Sequence, residues 1–407
     1  MLLCLHAGSN PSWFFCSADV RAAFLKGKPY VGRELYVRLP DGTKGPAIRG
    51  ADKTCIAKVL KGVFGLADAP REWYLRLAEC LAENGWVASA VDAAFWSRRD
   101  SAGNLSGLIV GHVDDLLCTG NEEAHQSILA IGDTLGFGRI EYDDFVWCGK
   151  RMRRAADKFI RLSMKHYHEN LSVVNLPKDR RRELDSPLSE WELRQFRAVM
   201  GSLQWLVAQL RWDLGFRVSS LAGEVGRATV GSILRANAVV VEAKIHSDFE
   251  LVFPPMDLER GGIMVVTDAA LGNVDSKGTH AGPADSKVHS QASYFIAFCD
   301  PQMLNGNEGF FAPLDARSHR LPRVTRSSFG AETMGLEEGV DAGQLIRAMV
   351  AELRGQIVLG RCVLPAVDKV PCTCVVDAKD AHDKVISDMA SWGSAKSLAF
   401  TGLGFRV

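Results

Sequence analysis

Two adjacent aspartates, Asp114 and Asp115, stand in the stretch GHVDDLLCTG at residues 111–120, between apolar runs that predict two short strands. Neighbouring carboxylates repel each other and are costly to remove from water. A divalent cation would stabilise them, because magnesium is held by one or two carboxylates together with substrate phosphates. A metal pair can activate an attacking hydroxyl and stabilise a leaving oxygen, which requires a third acid from elsewhere. The alternative is a solvated turn at a hairpin tip.

Asp19 is a candidate for this third acid, because it directly follows WFFCSA (13–18), a predicted buried strand. A second set of acids lies near the C-terminus. Asp268 ends the predicted strand IMVVTD, and Asp377 ends the predicted strand PCTCVVD. Glu332 lies in SSFGAETMGLEEGV (327–340), where Ser327 or Ser328 can cap a helix that continues through Leu353. Acids at two strand ends and on one helix can converge on a metal pair.

The elements that must position these acids follow from hydrophobic periodicity and from turn residues. Residues 68–85 predict a helix, with Asp68 as a possible cap, an apolar face at Trp73, Leu77 and Leu81, and Gly85 at its end. Further helices are predicted at about 188–221 and 230–245, and residues 32–42 predict a strand or hairpin arm. The prolines and glycines of 253–262 predict a linker before the strand at 263.

The composition is that of an ordinary globular protein. The 407 residues are 47% hydrophobic and carry no net charge, so two or three domains are expected and no global charge points to nucleic acid or membrane. The ten cysteines form no paired CxxC framework, which predicts reduced thiols in an intracellular protein. No apolar run is long enough to span a membrane. The basic stretch at 150–182 is either a phosphate-facing surface or a solvated helix face.

Several motifs, taken in order, resemble the reverse transcriptases of copia-type LTR retrotransposons. They are DVRAAFLKG (19–27), VLKGVFGLADAPREWY (59–74), GHVDDLLCTG (111–120) and FVWCGKRMRR (145–154), followed by FRAVMGSLQWLVAQLRWDLGFRVSSLA (196–222). The resemblance extends over nearly the whole chain. It implies a palm domain in which Asp19 and Asp114 bridge two Mg2+ (or Mn2+) ions and Asp115 completes the cluster.

The same resemblance assigns roles in binding nucleotide and primer. Phe24 matches the aromatic residue that walls off the sugar 2′ side, although a core aromatic is equally consistent with the residues. Gly65 would let the backbone approach nucleotide or template, unless it is a simple turn glycine. Val113 would lie under the primer terminus. Trp147 and Gly149 correspond to the packing residue and the turn of the primer grip, with a core tryptophan as the alternative for Trp147.

The acids Asp268, Glu332 and Asp377 resemble, in order and context, those of the ribonuclease H domain that follows the polymerase in copia-type elements. The resemblance therefore implies these metal ligands, and as partners an RNA or DNA template with primer, deoxynucleoside triphosphates and an RNA–DNA hybrid. No membrane partner is expected. The expected location is intracellular, in a cytoplasmic particle or the nucleus, and the oligomeric state stays open.

The chain departs from the family pattern in three respects. It begins close to Asp19, so a truncated fingers region is expected, and it ends soon after Asp377 without the family's fourth ribonuclease H acid. His112 replaces a tyrosine, and Ala67 and Asp68 replace Lys-Gln; Asp68 could repel a triphosphate or cap a helix. These departures leave two alternatives to a polymerase with a ribonuclease H-like domain. One is an inactive retrotransposon remnant that binds nucleic acid; the other is a lone nuclease using the second set of acids.

The predicted fold class is an α+β palm, built from an antiparallel sheet with packed helices, then a helical connection and a C-terminally truncated α/β ribonuclease H-like domain. The predicted domains are residues 1–155 for the palm with partial fingers, 156–252 for a thumb or connection region, 253–262 for the linker, and 263–407 for the ribonuclease H-like domain.

Overall fold

The computed structural model describes residues 1–44, 54–274, 289–325, 327–357, 364–383 and 405–406. The chain divides into two units. The N-terminal unit is formed by Ser12–Tyr142, and the C-terminal unit by Met1–Pro11 together with Asp143–Val407. The domain boundaries drawn from the sequence stay predictions.

The described residues include nine α-helices and seventeen strands, numbered in chain order. The helices are α1 (Leu2–Ser9), α2 (Ala69–Glu83), α3 (Glu122–Leu135), α4 (Lys165–Asn170), α5 (Glu190–Gln209), α6 (Gly215–Glu224), α7 (Val230–Ile245), α8 (Ser328–Leu353) and α9 (Leu364–Val367). The strands are β1 (Phe14–Val20), β2 (Tyr36–Arg38), β3 (Ile56–Lys58), β4 (Val87–Ala88), β5 (Phe95–Arg99), β6 (Leu105–His112), β7 (Asp115–Gly120), β8 (Phe137–Tyr142), β9 (Asp144–Trp147), β10 (Lys150–Arg154), β11 (Ile160–Ser163), β12 (Glu250–Phe253), β13 (Gly262–Val274), β14 (His289–Cys299), β15 (Phe311–Arg320), β16 (Cys372–Val376) and β17 (Phe405–Arg406).

A six-stranded antiparallel sheet forms the centre of the N-terminal unit, in the order β4-β5-β6-β7-β1-β8. Strands β6 and β7 form the predicted hairpin, and β1 lies beside β7. Because β1 and β7 are interior strands, each of them pairs with a neighbouring strand on both sides. Strands β2 and β3 form a separate two-stranded hairpin, so the strand expected at 32–42 is confirmed only for its middle part.

Helices α2 and α3 bury their apolar faces in the core of the same unit. Trp73, Leu77 and Leu81 recur every four residues along α2 and pack into a cluster with Ile128 and Ile131 of α3. The helix predicted at 68–85 is confirmed, and the chain leaves it through Gly85 with φ +80°. Tertiary burial of this amphipathic face, rather than propensity, accounts for most of such a helix's stability.

A four-stranded antiparallel sheet in the C-terminal unit has the order β12-β11-β10-β9. Helices α5, α6 and α7 pack against one another. The helical stretch expected at about 188–221 is confirmed, but it is divided into α5 and α6 by a break after Gln209 and a 3-10 turn at Trp212–Leu214. Arg211 is 1% exposed at this break and binds the Asp213 carboxylate through Nε (2.9 Å) and Nη2 (2.7 Å). The prediction at 230–245 is confirmed by α7.

A mixed five-stranded sheet follows, in the order β15-β14-β13-β16-β17. Strands β13, β14 and β15 are antiparallel, whereas β16 pairs in parallel with β13. Helix α8 lies directly on β13, because glycines face the strand: a Cβ at Gly339 would be 2.5 Å from Thr267 Cγ2. The Ser327 hydroxyl accepts the Gly330 N–H and caps α8, which identifies the capping serine.

The residues expected to form a linker lie between β12, which ends at Phe253, and β13, which begins at Gly262. The antiparallel sheets with packed helices agree with the α+β part of the predicted fold class. In the described part of the chain, no helix combines the length and the apolar character that a membrane span requires.

Candidate active sites

The first set of acids gathers where β1 and β7 meet. Asp19 on β1 is the cross-strand partner of Asp115 on β7, and Asp114 lies in the tight turn between β6 and β7. All three residues are half-buried. The antiparallel pairing of two interior strands thus brings together acids that are far apart in the sequence.

Backbone hydrogen bonds hold this turn on two sides. The Val20 N–H donates to the Asp114 carbonyl oxygen at 2.9 Å. From the other side, the Trp73 indole Nε1–H donates to the Val113 carbonyl oxygen at 2.6 Å. Val113 has φ +59°, a left-handed conformation that is unusual for a β-branched residue. The position of the two aspartates therefore depends on contacts from outside the hairpin.

The electrostatics of the first site disfavour three ionised carboxylates. Burial raises the pKa of Asp115, and the charges of Asp114 and Asp19 raise it further. Each of these causes opposes the charged form, and a bound cation would remove the two charge-related ones. The first site thus has the donor set that Mg2+ or Mn2+ prefers.

Gly138 on β8 faces the Asp19 carboxylate. The pairing of β1 with β8 shifts between Asp19 and Val20, so that Asp19 pairs with Arg139 and Val20 with Phe137. A Cβ at Gly138 would lie 2.6 Å from Asp19 Oδ2. Such irregularities often lie next to active sites, where they redirect a side chain. Glycine at this position leaves the space that the carboxylate occupies.

The second set of acids converges more closely. Asp268 on β13, Glu332 on α8 and Asp377 just after β16 each offer a carboxylate oxygen, and these oxygens lie within 4.8 Å of one another. The parallel pairing of β13 with β16 places the two aspartates at the same sheet end. In the described part of the chain, the first set of acids does not form a group this tight.

Glu332 is the buried member of the second site, whereas Asp268 and Asp377 are exposed. Its Oε1 accepts the Ala269 N–H at 3.3 Å, and its Oε2 is buried with no hydrogen-bond partner among the described residues. Burial raises the pKa of Glu332, and Asp377, Asp268 and Asp380 add to the shift. A buried carboxylate oxygen without a partner, close to two other carboxylates, fits a divalent cation.

Comparison with known proteins identifies the N-terminal part of the chain. Residues 1–129 match the family described as reverse transcriptase (RNA-dependent DNA polymerase). The chain is 25% identical over 230 residues to the Pol polyprotein of transposon RE2 of Arabidopsis thaliana. It is 30% identical over 105 residues to that of transposon TNT 1-94 of Nicotiana tabacum, and 32% over 118 residues to that of RE1 of Arabidopsis thaliana. These matches support the expected resemblance of the chain to part of a copia-type retrotransposon polyprotein.

These matches cover limited parts of this chain and of the related polyproteins. They extend over 54%, 26% and 29% of this chain and over 15%, 7% and 8% of the RE2, TNT 1-94 and RE1 polyproteins. The activities of the complete polyproteins are therefore proposals for this chain.

Two residues of the reverse transcriptase segment are candidates for nucleotide binding. Phe24 lies in a short 3-10 turn, packs partly against the core and meets the Phe64 ring at 5.0 Å, edge to face. Gly65 has φ +92°, and a Cβ placed on it would meet no other part of the protein within 4 Å. Its backbone conformation rather than crowding therefore requires glycine. Both roles stay predictions.

The predicted primer-grip residues Trp147 and Gly149 lie in the C-terminal unit, at the turn between β9 and β10. Gly149 has φ +76° and Cys148 has φ +48°, as expected of a tight hairpin turn. The Lys150 ammonium lies 5.7 Å from the centre of the Trp147 ring. Gly149 thus turns the chain as predicted, and its contact with primer stays a prediction.

Several arginines of the basic stretch form ion pairs with the protein's own acids, and three of the four named below lie on strands β10 and β11 rather than on a helix. Helix and strand residues both take part. The pairs include Arg151–Asp144 (2.6 Å), Arg154–Asp143 (3.4 Å), Arg161–Asp157 (2.7 Å) and Arg180–Glu192 (2.8 Å). The choice between a phosphate-facing surface and a solvated helix face stays a prediction.

Asp68 does not cap α2 with its side chain, although it occupies the capping position. Its carboxylate instead accepts the Tyr30 hydroxyl at 2.9 Å and pairs with Arg33. The charge that departs from the family motif is therefore balanced by Arg33.

Sequence reasoning missed three residues that belong to these sites. The helical spacing of Trp73 indicates only a core residue, and nothing local indicates its bond to Val113. Gly138 has no motif, because its role depends on pairing with β1. The charge of Asp380 contributes to the raised pKa of Glu332, and its place three positions after Asp377 is the sequence signal that could have identified it.

Proposed function

We propose that the N-terminal unit is the palm of an RNA-directed DNA polymerase. In this proposal Asp19, Asp114 and Asp115 hold Mg2+ or Mn2+, and the substrates are deoxynucleoside triphosphates and a primer on an RNA or DNA template. The observation that carries the proposal is the cross-strand pairing of Asp19 with Asp115 at the end of an interior hairpin, with Asp114 fixed by the Val20 N–H.

The chain's own residues position the reaction rather than form covalent intermediates. When bound, the divalent cations supply Lewis-acid activation of the primer hydroxyl and neutralise charge on the triphosphate. Asp19 and Asp115 present carboxylates from two paired strands, and the turn at Val113 presents Asp114. Phe24 would border the sugar, Gly65 the nucleotide or template, and Trp147 and Gly149 the primer.

We further propose that Asp268, Glu332 and Asp377 form a ribonuclease H-like site that cleaves the RNA strand of an RNA–DNA hybrid. Support comes from three carboxylates that converge within 4.8 Å on a mixed sheet, and from the buried Glu332 Oε2 that lacks a partner among the described residues. In this site Glu332 would hold a cation from the helix, and Asp268 and Asp377 from the strand ends.

Primer extension on an RNA template with Mg2+ tests the polymerase. The wild type is compared with the double variant Asp114→Asn/Asp115→Asn and with a control, Asp133→Asn, whose exposed side chain lies on α3. We expect extension by the wild type and the control and none by the double variant. Equal extension by all three proteins refutes the assignment. If the wild type does not extend the primer but still binds the duplex in a salt-sensitive way, the result supports a binding function without turnover.

Cleavage of a labelled RNA–DNA hybrid tests the second site independently. Glu332→Gln should abolish cleavage and leave extension unchanged, whereas Asp114→Asn/Asp115→Asn should abolish extension and leave cleavage unchanged. The matched control is Glu337→Gln, an exposed residue of the same helix. Cleavage that survives Glu332→Gln contradicts the proposed nuclease.

A further inference from the structure

Trp73 connects the helical core of the N-terminal unit to the turn that carries the two aspartates. Its side chain is 2% exposed and packs in the main cluster of that unit. Its Nε1–H donates to the Val113 carbonyl oxygen at 2.6 Å. A buried indole N–H normally finds a partner, but this one selects the backbone residue immediately before Asp114.

Val113 needs such a partner because its own conformation is unfavourable. With φ +59° its Cβ lies close to neighbouring backbone atoms, and branching at Cβ increases this crowding. Packing of its side chain cannot supply the restraint, since the residue is 48% exposed. A left-handed residue of this kind persists only where the surroundings determine it.

We propose that Trp73 is a positioning residue for the aspartate turn, acting through its indole N–H on the Val113 carbonyl. The N–H holds Val113 in the left-handed conformation, and this conformation directs the Asp114 and Asp115 carboxylates toward Asp19. For its effect on metal binding this inference rests on the proposed polymerase function; for its effect on the turn it does not.

The decisive variant is Trp73→Phe, which keeps an aromatic ring in the core and removes the N–H. Trp86→Phe is a matched control in the full-length chain. Trp86 is also 2% exposed, and its Nε1–H also donates one hydrogen bond, to Ser127 Oγ at 2.9 Å, away from the aspartate turn. Both variants lose a ring and an N–H from the same core, so only an effect through Val113 should distinguish them.

Two measurements that do not require activity follow the turn. Hydrogen exchange by mass spectrometry should show about five- to tenfold faster exchange in peptides covering 111–116 for Trp73→Phe, the range that one net hydrogen bond supports, and no change there for Trp86→Phe. Mn2+ binding is titrated by electron paramagnetic resonance in an Asp268→Asn background, which disables the second site. Trp73→Phe should weaken this binding by a similar factor, and Trp86→Phe should not change it.

A second substitution separates positioning from packing. Glycine adopts a positive φ without a Cβ penalty, so Val113→Gly should make the turn less dependent on the indole. Trp73→Phe should raise the Kd for Mn2+ by some factor in the Val113 background. In the Val113→Gly background we expect this factor to be at least threefold smaller. The same factor in both backgrounds, or equal effects of Trp73→Phe and Trp86→Phe on exchange at 111–116, overturns the inference. If the Asp268→Asn parent binds no Mn2+, metal binding by the first site is refuted, while the exchange measurement still decides the role of Trp73.

Discussion

Replacing Glu332 by glutamine should stabilise the metal-free protein and remove the part of the metal response that comes from the second site. Glu332 is 7% exposed, and one of its carboxylate oxygens lies within 4.8 Å of a carboxylate oxygen of Asp268 and of Asp377. Glutamine keeps the acceptor for the Ala269 N–H, and its NH2 group can donate to the neighbouring carboxylates. The substitution thus exchanges two repulsive contacts for hydrogen bonds at nearly constant volume.

The size of the effect follows from the separation of the charges. At 4.8 Å, the upper limit of the separations in this group, each pair of unit charges repels by about 0.9 kcal/mol in water and by about 3.5 kcal/mol at an effective dielectric constant of 20. Because Asp268 and Asp377 are exposed, the lower value is the better guide. Removing two such pairs should stabilise the metal-free protein by about 2 kcal/mol, which raises the Tm by about 2–3 °C for a chain of 407 residues.

The dependence on pH has a definite sign. The pKa of Glu332 is raised by burial and by its acidic neighbours, so the folded protein holds this proton more tightly than the unfolded chain. The wild type therefore loses stability as the pH rises through the raised pKa, and Glu332→Gln does not. The difference in Tm between the two proteins should be largest at neutral pH and should shrink toward pH 4.

Differential scanning calorimetry of the full-length chain in EDTA and in Mn2+ measures both effects, with Asp114→Asn/Asp115→Asn in every protein so that the first site does not contribute. In EDTA the variant should unfold at the higher temperature. In Mn2+ the protein with Glu332 should gain stability and the Glu332→Gln variant should not, so that the difference in Tm between them becomes smaller or changes sign. Glu337→Gln on the same helix controls for the change in net charge. A variant that unfolds in EDTA at or below the wild-type temperature, and that still responds to Mn2+, refutes the reasoning.

Three further predictions concern single contacts. Gly138→Ala places a Cβ 2.6 Å from Asp19 Oδ2, so Mn2+ binding at the first site should weaken at least tenfold; unchanged affinity in a titration would contradict the assigned contact. Asp68→Ala should lower the free energy of unfolding by less than about 1 kcal/mol and leave helix content by circular dichroism unchanged, because the Arg33 pair is partly exposed and no side-chain cap is lost. The Arg180 pair lowers the pKa of Glu192 to about 2, so its stabilisation is present above the usual glutamate pKa and disappears as the pH falls toward 2. Glu192→Gln should therefore cost about 2 kcal/mol in urea unfolding at pH 7 and almost nothing at pH 2; an equal cost at both values would count against the ion pair.

Elements with a clear local pattern were predictable. The four-residue recurrence of Trp73, Leu77 and Leu81 predicted α2, and the serine before an apolar period predicted the start of α8. The break between α5 and α6 was not predictable, because the apolar period continues through it. At the break the buried Arg211 binds the partly exposed Asp213, a polar arrangement that periodicity does not report.

In the candidate sites, too, some features follow from the local sequence and others depend on tertiary contacts. The sequence by itself determined which residues can do chemistry, because carboxylates next to apolar strands and the ordered motifs of the copia-type family are visible without coordinates. Only the tertiary structure decided that Asp19 pairs with Asp115, that Glu332 is the buried acid of its group, that Arg33 balances Asp68 and that Trp73 holds Val113. The physical reason is that periodicity and capping act between near neighbours in the chain, whereas charge balance, desolvation and the restraint of a turn depend on groups that folding brings together from distant positions.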